Sequence, residues 1–335
     1  MSDEFDFTKV GGRLDAMPND TGAMAGPNIW NFGVVPAGPG IRAMIQAKPS
    51  LWVQYPHFRG AWDGQSTVNH CDAVRRTIGE DALTSLVQYQ PRGTCGGRAG
   101  SATCDFVQCI MLALGKPIVF KRVSHASVYY AARKLYNMLE GSWQDENQDG
   151  VASGAVPEAL SKIGVNSREE IGDLNYYGEG SDDLACKLGA GQMQDLARKL
   201  EELAKDNIIK EWAPVKSAQE LADGIASGGI GIGSDNQGFT MTRDRQGFCR
   251  PTGSWAHYQV RISVFGQPRK GFGYWQSWGQ KTPGGPLLPG HIGNCFGVDF
   301  DVQDRIIRSG DWAVVWGMPP FELAQPKKID IPWTF

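Results

Sequence analysis

The sequence has no long basic or acidic run, and its 33 Lys and Arg against 36 Asp and Glu leave a net charge of only −3. Electrostatic capture of nucleic acid or of an anionic membrane is therefore not expected. No apolar window reaches the length of a transmembrane helix, and the opening Met1–Phe7 lacks the basic and apolar regions of a signal peptide. These absences predict a cytoplasmic protein, or one built into a particle assembled in the cytoplasm, rather than a secreted or membrane protein. Seven cysteines, at positions 71, 95, 104, 109, 186, 249 and 295, are odd in number and form no close-spaced framework. That pattern fits reduced thiols. No internal repeat is visible.

Metal and cofactor signals are equally thin. His57, His70, His125 and His291 lack ligand spacing to one another and to the cysteines, whereas zinc needs clustered thiols and imidazoles. Asp145–Gly150 matches the first half of a calcium loop, with oxygen ligands at alternate positions and glycine sixth. Its twelfth position is Val156 instead of a bidentate Glu, so an ordinary acidic turn is the expectation. Gly229–Gly233 alternates Gly and Ile but follows a helical stretch, unlike a dinucleotide fingerprint, which leaves a strand and opens a helix.

What the chain does have is glycine, 43 residues, and tryptophan, 11 residues, a composition of loop-rich α+β proteins. At 335 residues it is long enough for two lobes and an extension. Residues 1–60 are rich in Gly, Pro and Asn with isolated aromatics and show no sustained helical period, which predicts an extended arm packing on the lobes or on a neighbouring subunit. Residues 61–188 read as a helical lobe. After Cys95, Ala99, Ala102, Phe106, Cys109, Ile110 and Ala113 recur three and four apart, marking a buried helix face. Ser124 is a plausible N-cap for a helix burying Val128, Ala132, Leu135 and Leu139, and Pro157–Ile163 ends at Gly164. Residues 189–335 open with an amphipathic helix through Met193, Leu196, Leu200 and Leu203, then a capping box at Ser217–Glu220. Short strands follow at Ile230–Ile232, Tyr258–Phe265, Tyr274–Trp278, Val298–Asp301 and Trp312–Trp316.

Chemistry concentrates on three segments. Cys95 immediately precedes its helix, where the positive end of the dipole favours a thiolate. His257 starts an alternating strand in which Val260, Ile262 and Val264 share one face; the imidazole lies on the other with Gln259, Arg261 and Ser263 and is expected to look into a cleft. Gln276-Ser277-Trp278-Gly279 comes one hairpin later.

Thiol, imidazole and amide in this order resemble the papain family of cysteine peptidases. Gly93-Thr94-Cys95 is similar to that family's Gly-Ser-Cys, the Ser254–His257 segment to its histidine segment, and Gln276-Ser277-Trp278-Gly279 to its Asn-Ser-Trp-Gly. The resemblance spans about residues 88–317 and implies a two-lobed α+β fold, a helical lobe beside an antiparallel half-barrel. In it Cys95 is the nucleophile, His257 the proton carrier, Gln276 the orienting amide and Gln90 the oxyanion donor, with no cofactor. The sequence departs from the family's pattern in four ways: Gly96 replaces the aromatic residue after the nucleophile, Gln276 replaces Asn, the glutamine expected at Tyr89 is displaced to Gln88 or Gln90, and His257 lies beyond the usual interval of roughly 130–150 residues. A second register makes Cys95 structural and puts Arg98 in the nucleophile's place; the first is preferred because it leaves Gln90 only one position out.

Two function classes follow. One is a peptidase or isopeptidase acting on a peptide or protein substrate. The other is an inactive papain-fold structural subunit of a large assembly, such as a phage or virus particle, whose arm contacts neighbouring subunits. A transglutaminase-like or amidase variant has no motif of its own here.

Overall fold

The computed structural model describes residues 34–35, 37–90, 92–141, 150–171, 179–205, 207–209 and 211–317. The Asp145–Gly150 turn falls almost wholly outside them, as do residues 1–33. The helices are α1 (Pro39–Ala47), α2 (Leu51–Gln54), α3 (Cys71–Ile78), α4 (Glu80–Ser85), α5 (Cys95–Ala113), α6 (His125–Glu140), α7 (Ala155–Lys162), α8 (Arg168–Ile171), α9 (Glu179–Gly189), α10 (Gln194–Ala204), α11 (Ala218–Ala226) and α12 (Phe300–Ser309). The strands are β1 (Val34–Val35), β2 (Val68–Asn69), β3 (Val151–Ala152), β4 (Glu211–Pro214), β5 (Ile230–Phe239), β6 (Pro251–Phe265), β7 (Gly271–Trp275), β8 (Cys295–Asp299) and β9 (Asp311–Trp316).

One antiparallel sheet runs in the order β4-β9-β5-β6-β7-β8, with β2 paired to the far end of β6, while β1 and β3 form a small parallel pair. The fold class is the expected α+β. Apolar residues of the sheet face opposite ways. Tyr258, Val260 and Ile262 join α5, α6 and α7 in one core, and Val264, Phe272, Tyr274 and Val298 join α11 and α12 in a second. Both sheet faces are thus covered, so the face of β6 carrying His257, Gln259, Arg261 and Ser263 is wholly buried instead of bordering an open cleft as expected.

Residues 39–47 correct the reading of an aperiodic arm. Pro39 occupies the first turn of α1, where a missing N–H costs nothing, and Ile41 and Ile45, one turn apart, enter the main core. The Ile41 N–H is capped by the Glu140 carboxylate at 2.8 Å, which ties the segment to the end of α6. Likewise α10 falls in the second part of the expected division but packs Ala197 and Leu200 on Tyr130 and Leu188 of the helical lobe. Leu139, expected in the core, is 37% exposed at the last turn of α6. The Ser124 and Ser217 caps form as predicted, each hydroxyl accepting the N–H three residues on.

Candidate active site

Cys95 is the first residue of α5, and its Sγ accepts the backbone N–H of Tyr258 at 3.5 Å. The residue next to His257 therefore rests on the sulfur, so the fold joins the two segments that sequence set 162 positions apart. Three glycines let α5 sit this deep. A Cβ on Gly97 would lie 2.6 Å from the His125 carbonyl, one on Gly100 2.5 Å from Val128 Cγ1, and one on Gly96 2.1 Å from Val151 Cγ2. Gly96, where the resemblance calls for an aromatic, faces β3 and has no room for a side chain. Gly96→Ala should consequently cost about 1–3 kcal/mol from overpacking, despite the ~1 kcal/mol that alanine gains over glycine in a helix. Thermal unfolding checks this, and a raised midpoint would contradict the packing.

A buried carboxylate organises the turn before Cys95. Asp182 Oδ1 accepts the Thr94 hydroxyl at 2.9 Å, Arg98 Nη2 at 2.6 Å and His125 Nε2 at 3.0 Å, and Oδ2 accepts the Arg92 N–H at 3.3 Å. Burial alone would raise the Asp182 carboxyl, but Arg98 and His125 together hold it below its ordinary value. Arg98 is thus an anchoring cation one turn into α5. Neither Asp182 nor His125 carries a local sequence signal for this role, since their meeting with Thr94 spans the helical lobe.

On the other wall, the His257 ring stacks on the Trp278 indole, with centroids 4.6 Å apart and planes 15° from parallel. Gln276 fixes the Trp278 main chain: its Oε1 accepts the Trp278 backbone N–H and its Nε2 donates to the Thr282 carbonyl. The amide thus bears on the ring through Trp278. Gln90 donates its backbone N–H to Ser277 at 2.9 Å, and its side-chain oxygen accepts the Ser277 hydroxyl, while its amide nitrogen donates to the Arg92 carbonyl at 3.2 Å. Gln88 turns the other way, onto Ser101 at 2.9 Å. Of the two glutamines beside Tyr89, Gln90 is the one brought between the segments of Cys95 and Trp278.

Cys95 and His257 are both 0% exposed. The helix-end N–H groups do favour the thiolate as expected, because Gly96 and Cys95 join Tyr258 as donors to the sulfur, yet burial outweighs them and pushes the thiol up to about 12. Burial, reinforced by Arg261, lowers the His257 imidazole to about 3. In this closed arrangement both groups are neutral at physiological pH, which corrects the expectation of a ready thiolate. Beside them, a pocket of about 290 Å³ is lined by Ser153, Ser234, Asp311 and Asp235, the residue opposite His257 in the β5–β6 register. Burial raises the Asp235 carboxyl to about 6 against the pull of Arg261. Among the described residues no three His, Cys, Asp or Glu side chains come together as a metal site, and no helix is long and apolar enough to cross a membrane.

No protein-family model matches the sequence, and no curated protein matches it. Similarity emerges in three dimensions. The chain superposes on xylellain, a cysteine protease from Xylella fastidiosa, with a TM-score of 0.51 and 16% identity, over 85% of this chain and 95% of that one. A procathepsin B from Trypanosoma congolense is similar at a TM-score of 0.48 and 6% identity, covering 75% and 77% of the two chains. Helix α5 set against an antiparallel sheet, with Cys95 at its start, His257 within β6 and Trp278 three residues past the end of β7, is accordingly a papain-like fold.

Proposed function

We propose that the protein is a papain-like cysteine peptidase or isopeptidase in which Cys95 is the nucleophile. The observation that carries the reading is the contact of Cys95 Sγ with the Tyr258 N–H at the start of α5, which brings a thiol at a helix N-terminus to the strand of a histidine. In the reaction His257 accepts the thiol proton as sulfur attacks the carbonyl carbon, then returns it to the leaving amine. Water hydrolyses the thioester formed. The Cys95 N–H and the Gln90 amide stabilise the oxyanion. Trp278, held by Gln276, keeps the imidazole in place. Because both reacting groups are buried, substrate reaches them only in a more open arrangement of these same elements, one that also restores the hydration the thiolate needs.

The competing reading, a papain-like scaffold with a silent site, draws on the same burial and on the neutral state of both groups. A peptide carrying a thiol-reactive electrophile separates the two. A peptidase is modified at Cys95 ahead of the six other cysteines, and His257→Ala slows that modification by about 10²-fold or more. Mass spectrometry of the folded protein reads both values. Uniform labelling of the cysteines, unaffected by His257→Ala, would leave the scaffold.

A further inference from the structure

A cleft of about 810 Å³ opens at the other end of β6 from the candidate active site. Phe265, which lines it, is eight residues along the strand from His257, roughly 26 Å at strand rise. Its floor is apolar: Phe248, Phe265 and Leu288 form a small cluster separate from the two cores, and Leu287 stands 51% exposed beside them. Its rim is cationic, with four guanidinium groups and a single carboxylate, Asp72. Two of the arginines are engaged. Arg75 pairs with Asp72 and Glu80, and Arg269 with Asp244 and Asp299. The other two, Arg76 and Arg245, are exposed and make no ion pair among the described residues.

The wall of the cleft is held rigidly. Asn69 Nδ2 and Arg75 Nη1 both donate to the Gly290 carbonyl, at 3.0 and 2.8 Å. Beneath it, His291 Nδ1 lies 2.8 Å from the Pro289 carbonyl and must carry the proton there, so Nε2 accepts the Ser263 hydroxyl at 2.8 Å. Gly273 makes room for that bond, since a Cβ would fall 2.0 Å from Ser263 Oγ. A preformed apolar floor under uncommitted cations suits a ligand with an apolar body and more than one carboxylate, at little ordering cost.

We infer that this cleft binds an acidic peptide segment, seating an aromatic side chain against the exposed Leu287 at the edge of the Phe248, Phe265 and Leu288 cluster and placing carboxylates on Arg76 and Arg245. The inference is independent of the peptidase reading. A fluorescent Asp-Glu-Phe-Asp-Phe peptide, the composition found at residues 3–7, is a suitable probe, titrated into the full chain at low ionic strength. Saturable binding is expected, weakened at least tenfold by Arg76→Glu/Arg245→Glu and unchanged by the charge-matched control Lys199→Glu/Lys216→Glu. Replacing both phenylalanines of the probe by serine should weaken it comparably. Three results would overturn the inference: no saturable binding, equal binding of the serine peptide, or complete competition by an oligonucleotide of matched charge at the same concentration, which would mark the rim as a general anion patch.

Discussion

Replacing Asp182 by alanine should lower the stability of the protein by about 3–5 kcal/mol, the usual cost of stripping one partner from a buried ion pair. Arg98 and Asp182 are both fully inaccessible in their side chains, so removing the carboxylate leaves a guanidinium with neither water nor counter-charge. Thr94 and the Arg92 N–H lose their acceptor in the same step. The turn that delivers Cys95 to the start of α5 is then unsupported. Denaturant titration should show a lower midpoint with an unchanged slope. The apolar double variant Arg98→Met/Asp182→Leu should recover much of the loss, since the pair costs desolvation on both sides. If Asp182→Ala unfolds at the wild-type midpoint, the network does not hold the turn.

How much of this was legible in the sequence depends on the range of the interaction. Helix α5 was visible because its apolar positions repeat within one segment, and the Ser124 and Ser217 caps because a cap is a four-residue event. The strands around Val260 and Val314 were found by alternation, although β5 and β6 run well past their apolar stretches. Helix α1 carried a usable signal, Pro39 followed by Ile41 and Ile45, which the surrounding glycines and prolines masked. The burial of the polar face of β6 is illegible for a different reason. Alternation says which residues share a face, but not whether a second layer lies over it. Here α11 and α12 do, and Arg261 is buried between the Tyr274 and Trp312 rings with its Nε on Gln303 at 2.7 Å. The same limit made His257 look accessible. Gly96 departs from the papain pattern because of Val151, 55 positions later in the chain, which no local reading could supply.

Acid should destabilise the protein well before its paired carboxylates titrate. His70, His257 and His291 are buried, and burial lowers them to about 4, about 3 and about 4. Arg261 adds to the effect on His257, while accepting backbone carbonyls offset part of it at His70 and His291. In the unfolded chain all three protonate near their ordinary value of about 6.5. Between that value and their folded values the unfolded state binds more protons, so stability rises with pH and is lost as pH falls. Each histidine contributes a slope of up to about 1.4 kcal/mol per pH unit. Asp235 works in the opposite sense: with its folded value raised to about 6, it takes up a proton in the folded state first and offsets roughly one histidine between there and its ordinary value. Asp182 and Glu158, whose folded values are lowered, add to the loss only as the pH falls below the usual carboxylate range. Unfolding midpoints measured at pH 7.5, 6 and 5 should therefore decline, and His257→Gln should flatten the decline by about a third above pH 6 and by about half below it, where Asp235 already offsets one of the three histidines. A midpoint that stays level from pH 7.5 to 5 would mean that these imidazoles reach solvent in the folded protein, and that the site around His257 is open rather than closed.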